Sequence, residues 1–474
     1  MNKRKLSILV MALAMLAGCA TGHEYQRPQV TVPQAYQGAS TLSGQDWIAG
    51  EPADAAARGP WWHAYGDHVL DALENKVGTG NQSVQKTLAQ LMAAKSQVNE
   101  ARAGYAPVVG VGVAADRSRT SANVLGKSLA GQTVPDYFGA LDISWEPDLW
   151  GRIGHTVDLA DANFQAGAAE LAAVELSAHA ELAIAYFNVR VIDEERKILD
   201  QSAQVELQVL DMARRRYAAG LDSQAEVEQA QMQAAATQLQ ASDLGVSRAN
   251  YVHAIATLIG EPASNFKLEM GDFTYDMPKI PLGLPSVLLQ RRPDIAAAER
   301  RVAAANASIG IAQSAFYPNL VLSAGAGFES SSLASLLTAP SRMWALGPAL
   351  IGTLFDGGAR HARLENANAQ FDVEAAAYRL TVLSAFQQVE DQLSTLAVLT
   401  REAEQQQQAS RASRIALALN IQRFDAGAVS AMDMAAAEVI AFDQIGKELN
   451  IRRRQFDASV MLVKALGGDW KVAQ

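Results

Sequence analysis

The octapeptide RYAAGLDS at residues 216–223 returns as RFDAGAVS at residues 423–430, an offset of 207 residues (423 minus 216). A period of this length is typical of a duplicated unit and is far longer than the repeats of solenoid proteins. We therefore expect two halves that contain the same elements in the same order. Further motifs recur at a similar distance: Ile259-Gly260 as Leu466-Gly467, and Tyr105-Ala106-Pro107 as Phe316-Tyr317-Pro318.

Proline and glycine positions, together with apolar periodicity, predict one plan for both halves: a helix, two strands, a very long helix, a turn and a last helix. In the first half these elements are predicted at residues 67–103, 108–115, 138–146, 154–217 and 223–259. In the second half they are predicted at residues 293–315, 319–328, 344–355, 360–423 and 430–466. The predicted repeats are residues 61–260 and 286–474, joined by a proline-containing linker at 261–285.

The strand pattern is clearest at residues 138–146, where apolar and polar residues alternate with a period of two. Such alternation places the two kinds of side chain on opposite faces of a sheet. One face carries Leu141, Ile143 and Trp145, and the other carries Asp142, Ser144 and Glu146.

Composition limits the classes of function that the chain can have. Charged residues make up 19% of the chain and the formal net charge is -10, which gives no basic surface for nucleic acid. Past residue 20, no apolar stretch approaches the roughly 20 residues that a membrane helix needs. If the mature chain crosses a bilayer, we expect it to do so as strands.

Four strands of about ten residues have the length of membrane strands, but four cannot close a barrel. Open strand edges are not tolerated in lipid, so the barrel must be shared between chains. A dimer would supply eight strands, too few to leave a pore, whereas three chains supply twelve. The predicted fold is thus mainly α with a membrane β-barrel, in which Leu141, Ile143 and Trp145 face lipid. Asp142, Ser144 and Glu146 would line the lumen.

The N-terminus has the layout of a secretory signal, with a basic start followed by an apolar run, which we assign to residues 1–18. Leu16-Ala17-Gly18-Cys19 resembles the lipobox of bacterial lipoproteins, and Cys19 is the only cysteine. The resemblance implies a diacylglycerol and an N-acyl chain on Cys19, and Ala20 after it suggests sorting to the outer membrane. An ordinary signal with a chance cysteine is the alternative. Residues 19–60 are predicted to be a lipidated, extended arm.

Motifs across nearly the whole mature chain resemble the TolC-like outer membrane factor family, in particular its lipoprotein branch typified by NodT and OprM. The resemblance implies a homotrimer, with a twelve-stranded barrel in the outer membrane of a Gram-negative bacterium and a long coiled-coil tunnel in the periplasm. These motifs are Trp61-Trp62, Tyr105-Ala106-Pro107, the stretch WEPDLWGR at 145–152, RRPDI at 291–295, Phe316-Tyr317-Pro318, LFDGG at 354–358 and the two duplicated turns.

The resemblance also implies function and partners. A periplasmic adaptor protein and an inner-membrane pump, often of the resistance-nodulation-division type, would load a passive, gated duct that has no enzymatic activity and no cofactor besides the lipid on Cys19. The exit duct of a type I protein secretion system remains open as an alternative. A coiled-coil periplasmic scaffold without a pore is the competing class.

The two duplicated turns would be the periplasmic tips that meet the adaptor. For that contact we predict Gly220, Leu221, Ser223, Gly427, Ala428 and Ser430. Glu226 and Asp433 fall where related ducts place acids at the closed entrance, and Met432 could supply an apolar constriction. A carboxylate in the first turn of a helix is also favoured by the helix dipole, whether or not it lines a pore.

No motif indicates catalysis or metal binding. The seven histidines are scattered without metal-ligand spacing, and no phosphate loop or nucleophile elbow is present. The charge cluster at residues 193–197 is interpreted as a solvated helix face.

Overall fold

The structure is a computed structural model that describes residues 25–37, 59–123, 130–273, 275–278, 280 and 291–468. The predicted signal peptide and the predicted lipidation site Cys19 lie outside the described residues.

Seven α-helices and four β-strands occur in the described residues, and they follow the predicted order in both halves. The helices are α1 His68–Gly80, α2 Gln82–Ala103, α3 Arg152–Ala218, α4 Gln224–Leu258, α5 Pro293–Ser314, α6 Ala359–Asp425 and α7 Ala431–Ala465. The strands are β1 Val108–Arg119, β2 Thr133–Trp145, β3 Asn319–Ser330 and β4 Arg342–Ile351. The corresponding helices α3 and α6 both have 67 residues, and α4 and α7 both have 35. This equality agrees with a duplicated unit.

The helix predicted at residues 67–103 is two helices, so that prediction was wrong at residue 81. Asn81 is extended and its side-chain oxygen accepts hydrogen bonds from the amides of Ser83 and Val84, which starts α2. Its side-chain amide also donates to the carbonyl of Leu258, at 3.0 Å. The break therefore serves a tertiary contact with the end of α4, which the periodicity of the sequence does not reveal.

The chain divides into two compact units. Among the described residues, the first contains 25–28, 91–167 and 298–378, and the second contains 29–37, 59–90, 168–273, 275–278, 280, 291–297 and 379–468. The first unit holds the sheet. The core of the second unit is built around packed aromatic rings, with Phe187 at 4.8 Å from Phe456 and 4.9 Å from Tyr65. No helix among the described residues is both long and apolar enough to span a membrane.

The four strands form one antiparallel sheet in the order β1-β2-β3-β4. Each half contributes one hairpin, and the pairing of β2 with β3 joins the two halves. This order leaves β1 and β4 as the two edges of the sheet. An unpaired edge presents a row of free N–H and C=O groups to whatever lies beside it.

The charge cluster at 193–197 was misread as wholly solvated, because Asp193 is buried in the second unit. Its carboxylate accepts from Arg248 Nε at 2.6 Å and from the amide of Gly271 at 3.2 Å. Arg248 also donates to the carbonyl of Leu268, at 2.8 Å. A buried charge is costly unless it is paired and hydrogen-bonded, and here the pairing fixes the linker after α4 to helices of the first half.

The N-terminal arm is attached to the first unit by two side chains. Tyr25 donates a 2.6 Å hydrogen bond to Glu299 of α5. Arg27 donates to the hydroxyl of Tyr378 in α6 at 3.0 Å, and its guanidinium lies 5.6 Å from the centre of that ring. Further along the arm, Tyr36 is buried and the amide of Gln37 donates to Glu390 at 2.7 Å, so the arm is held at more than one place.

Candidate functional site

The two faces of the sheet differ as the sequence predicted. The pairing places Leu141 opposite Val111 of β1 and opposite Ala326 of β3, which in turn lies opposite Trp344 of β4. Directly opposed residues share a face. We call this side the apolar face, and its large side chains are exposed, among them Val113 (84%), Trp344 (78%) and Leu346 (76%).

The opposite side carries the acids of the strands, and we call it the acidic face. Asp142 lies between Gly110 of β1 and Gly325 of β3. A Cβ on Gly110 would lie 2.7 Å from Asp142 Oδ1, so the carboxylate occupies space that only glycine leaves open. Ser144 follows on the same face, because it is two residues further along β2.

Glu146 requires a correction, because it is not part of the strand. β2 ends at Trp145, and the Glu146 carboxylate accepts from Arg152 Nε at 3.0 Å and Nη2 at 2.7 Å. A bidentate pair of this kind holds both side chains in one geometry. Glu146 therefore belongs to the connection between β2 and α3.

The rest of this connection explains the WEPDLWGR motif. Asp148 has a left-handed backbone, with φ of 46°, and its carboxylate accepts from the amides of Ile153 and Gly154, both at 2.8 Å. These are free N–H groups of the first turn of α3, so Asp148 caps the helix.

Two indole rings fix the strand ends nearest the helices. Trp150 stacks on Tyr317 at 4.9 Å and donates to the carbonyl of Pro318 at 2.8 Å. Trp145 donates to the carbonyl of Tyr105 at 2.9 Å. Aromatic side chains are typical of the interfacial girdles of membrane barrels, and here Trp150 also joins the two halves of the chain.

The first duplicated turn ends α3 with a left-handed glycine. Gly220 has φ of 75°, and the amide of Leu221 donates to the carbonyl of Arg216 at 2.9 Å, which is a Schellman ending. Ser223 and Glu226 then form a capping box that opens α4. Leu221 is 68% exposed, so the tip presents an apolar side chain to solvent.

The second turn repeats this geometry at the start of α7. Gly427 has φ of 70°, and the amide of Ala428 donates to the carbonyl of Arg423 at 2.8 Å. Ser430 and Asp433 form the capping box. Capping boxes are thus present in both turns.

The two turns differ in one ion pair. In the first turn Arg216 Nε contacts both carboxylate oxygens of Asp222, at 3.0 and 2.9 Å. The corresponding residues of the second turn are Arg423 and Val429, and Arg423 forms no salt bridge with a described residue. The second turn therefore lacks this ion pair. In the first turn the side chain of Arg216 is itself about half exposed, at 51%.

Asp433 and Glu226 are exposed, and each carboxylate bonds to its own capping serine. Ser430 donates to Asp433 Oδ2 from its hydroxyl at 2.7 Å and from its amide at 3.0 Å. These hydrogen bonds lower the pKa of Asp433, so its carboxylate is charged at neutral pH. Met432 packs against a cluster of Leu210, Ala213 and Ala230. Its role as a constriction stays a prediction, as does the lining role of both acids.

A buried acid–base pair in the second unit was not recognised from sequence. Glu74 is 1% exposed, and its carboxyl lies 2.6 Å from His179 Nδ1, on which Trp62 stacks at 4.5 Å. Burial, followed by the charge of Asp71, raises the pKa of Glu74, and burial lowers the pKa of His179 to about 4. His179 is therefore neutral at pH 7. Sequence spacing could not reveal the pair, because 105 residues separate its members.

The profile of one family, the outer membrane efflux proteins, matches residues 75–261 and 284–468. The chain therefore belongs to the outer membrane efflux protein family, and the predicted family resemblance is confirmed. Its fold, mainly helical with one four-stranded sheet, is that of outer membrane channels of known structure.

Among relatives, the pyoverdine export outer membrane protein OpmQ of Pseudomonas putida is 28% identical over 473 residues, which cover 99% of this chain and 98% of OpmQ. The toluene efflux pump outer membrane protein TtgC of Pseudomonas putida is also 28% identical, over 99% of this chain and 96% of TtgC. The outer-membrane channel OprN matches with a TM-score of 0.86 and 26% identity, covering 95% of this chain and 100% of OprN. The chain is similar to these proteins over almost its full length.

Proposed function

We propose that three copies of this chain form the outer membrane channel of a tripartite efflux pump, a passive duct that carries small molecules and catalyses no reaction. The observation that carries the proposal is the four-stranded sheet with two unpaired edges, β1 and β4, and an exposed apolar face. A soluble chain rarely exposes so large a contiguous apolar surface. Three such sheets, with four strands each, supply the twelve strands of a closed barrel that has no edge.

The class of cargo follows from the relatives, which are named for pyoverdine export and toluene efflux. We infer that this chain likewise passes small molecules that an inner-membrane pump, often of the resistance-nodulation-division type, delivers through a periplasmic adaptor. The exposed tips at residues 220–223 and 427–430 suit the adaptor contact, because both turns are rigidly capped and Leu221 is open to solvent. The alternative, the exit duct of a type I protein secretion system, would predict a protein substrate instead.

The channel is tested by purifying the chain from outer membranes and recording single-channel conductance in planar bilayers. We expect heat-modifiable trimers and discrete conductance steps. Trimers that give no conductance, or absence from the outer membrane, would favour the scaffold alternative. Deletion of the gene should raise susceptibility to small toxic compounds, and a lost secreted protein with unchanged susceptibility would point to a secretion duct.

We also propose that Cys19 carries a diacylglycerol and an N-acyl chain. Two or more acyl chains give a stable anchor, whereas one gives only marginal binding. Mass spectrometry of the N-terminal peptide should show the added lipid mass, which Cys19→Ala should lack. An unmodified Cys19 in the mature chain would overturn this assignment.

A further inference from the structure

The charged residues of the strands segregate by sign between the two faces of the sheet. Arg342 lies opposite Phe328, which in turn lies opposite Gly139. Gly139 is two residues from Leu141 in β2, so all three are on the apolar face. Arg117 lies opposite Pro135, which is on the same face of β2 as Gly139 and Leu141. The three arginines of the strands, Arg117, Arg119 and Arg342, are thus on the apolar face, and the four acids, Asp116, Asp136, Asp142 and Glu329, are on the acidic face.

The arginines are also confined to one end of the strands. Arg117 and Arg119 are in the last three residues of β1, and Arg342 is the first residue of β4. These are the ends that lead into the β1–β2 and β3–β4 connections. The helices α2 and α3 attach at the other ends of the hairpin. In a barrel whose helices are periplasmic, the arginines lie at the extracellular rim.

An arginine on a lipid-facing surface is destabilising near the bilayer midplane and nearly tolerated near the interface. Its apolar stem can lie along the barrel while the guanidinium reaches the head groups. All three side chains are exposed, and none forms an ion pair with a described residue. These three guanidinium groups beside an apolar surface are available to an anionic partner at the level of the head groups.

We propose that Arg117, Arg119 and Arg342 form an arginine collar that binds the phosphate groups of lipid A in the outer leaflet of the outer membrane. This inference rests on the trimeric barrel proposed above. Guanidinium is the group that matches phosphate with two parallel hydrogen bonds. The surface is apolar along the strands and cationic at the strand ends that carry the arginines. It therefore complements a lipid that has acyl chains and a phosphorylated head group.

The collar has a second consequence, because its residues belong to β1 and β4, the two edges of the sheet. In a closed trimer β4 of one copy lies beside β1 of the next, so Arg342 joins Arg117 and Arg119 of the neighbouring copy at each subunit junction. A phosphate bound there contacts two chains. Lipid A should therefore stabilise the trimer as well as bind it.

The test uses the full-length trimer in detergent, with bisphosphorylated lipid A, dephosphorylated lipid A and inorganic phosphate as separate probes. Binding and the temperature of trimer dissociation are measured for wild type, for the triple variant Arg117→Gln, Arg119→Gln, Arg342→Gln, and for the matching triple Arg→Lys variant. We expect the Gln variant to lose about 100-fold in affinity for bisphosphorylated lipid A, and each single variant about fivefold. The Lys variant keeps the charge but loses the two parallel hydrogen bonds, so its affinity should lie between those of wild type and the Gln variant, and Arg411→Gln, an exposed arginine of α6, should match wild type.

The outcomes separate this inference from the proposed function. Equal binding of phosphorylated and dephosphorylated lipid A by a wild-type trimer that conducts ions would overturn the collar and leave the channel intact. Equal stabilisation by inorganic phosphate would show a free anion site instead of a lipid site. Absence of wild-type trimers or pores would reject the channel itself. If the Gln variant does not assemble, the Lys variant and the single variants still decide the question.

Discussion

The carboxylate of Asp433 takes part in the capping box of α7 and also carries a negative charge. Two substitutions separate these two roles. Asp433→Ala removes the carboxylate that accepts from the amide and hydroxyl of Ser430, and it also removes the charge. Ser430→Ala removes the hydroxyl that accepts from the Asp433 amide at 3.1 Å but keeps the charge. If the acids line the closed entrance, Asp433→Ala should raise the resting conductance in planar bilayers, and Ser430→Ala should change it little.

The magnitude of the capping effect is set by the lost hydrogen bonds. Loss of an N-cap serine costs about 1 kcal/mol, which populates the open first turn of α7 about fivefold more. Hydrogen exchange of amides near residue 433 should speed up by that factor in both variants, and Glu226→Ala should do the same at the first turn. An equal rise of conductance in both second-turn variants would assign the effect to turn stiffness. An unchanged conductance in Asp433→Ala would refute the lining role.

Three further predictions follow from buried or crowded positions. Because the folded-state pKa of His179 is about 4 and its unfolded value is about 6.5, the unfolded chain binds more protons between these values. The contribution of His179 to the free energy of unfolding should fall by up to about 3 kcal/mol as pH drops from 6.5 to 4, whereas the raised pKa of Glu74 acts in the opposite direction. The difference between wild type and His179→Asn in urea titrations isolates the His179 slope. Gly80→Ala would place a Cβ 2.0 Å from the Ile259 carbonyl oxygen, and thermal melts should show a loss of about 3 kcal/mol in the free energy of unfolding. Gly78→Ala, whose Cβ would have nothing within 4 Å, should raise that free energy by about 0.5 kcal/mol in the same melts. Tyr25→Phe combined with Arg27→Ala should loosen the arm around residues 25–28, and limited proteolysis should cleave there at least about fivefold faster, from the loss of about 1 kcal/mol per hydrogen bond. An unchanged rate would show that the contacts of Tyr36 and Gln37 are enough to hold this segment.

The long helices were predictable because the sequence keeps proline out of them and places Gly220 and Gly427 at their ends. The alternation at residues 141–145 was predictable for a similar reason, since a period of two is visible without any tertiary contact. The internal duplication doubled the signal, because each element could be checked against its copy. Proline and glycine positions and apolar periodicity therefore predicted these regular elements correctly.

The remaining features depend on contacts between distant residues. Asn81 breaks a helix to reach Leu258, and Asp193 is buried because Arg248 lies across from it. The length of β1 was underestimated for the same reason, because the strand was predicted to end at residue 115, before Arg117 and Arg119. Pairing with β2 extends the strand through Arg119, and only the register shows which face these side chains share.

The pairing of β2 with β3 has a consequence for biosynthesis. Trp145 lies opposite Leu322, so 177 residues (322 minus 145) must be translocated before the first hairpin meets its neighbour in the sheet. Pairings of such sequence separation form slowly, and the apolar surface that waits for them is prone to aggregation. The four-stranded sheet can therefore form only after the second hairpin has emerged, and the apolar face of the first hairpin is open to aggregation until then.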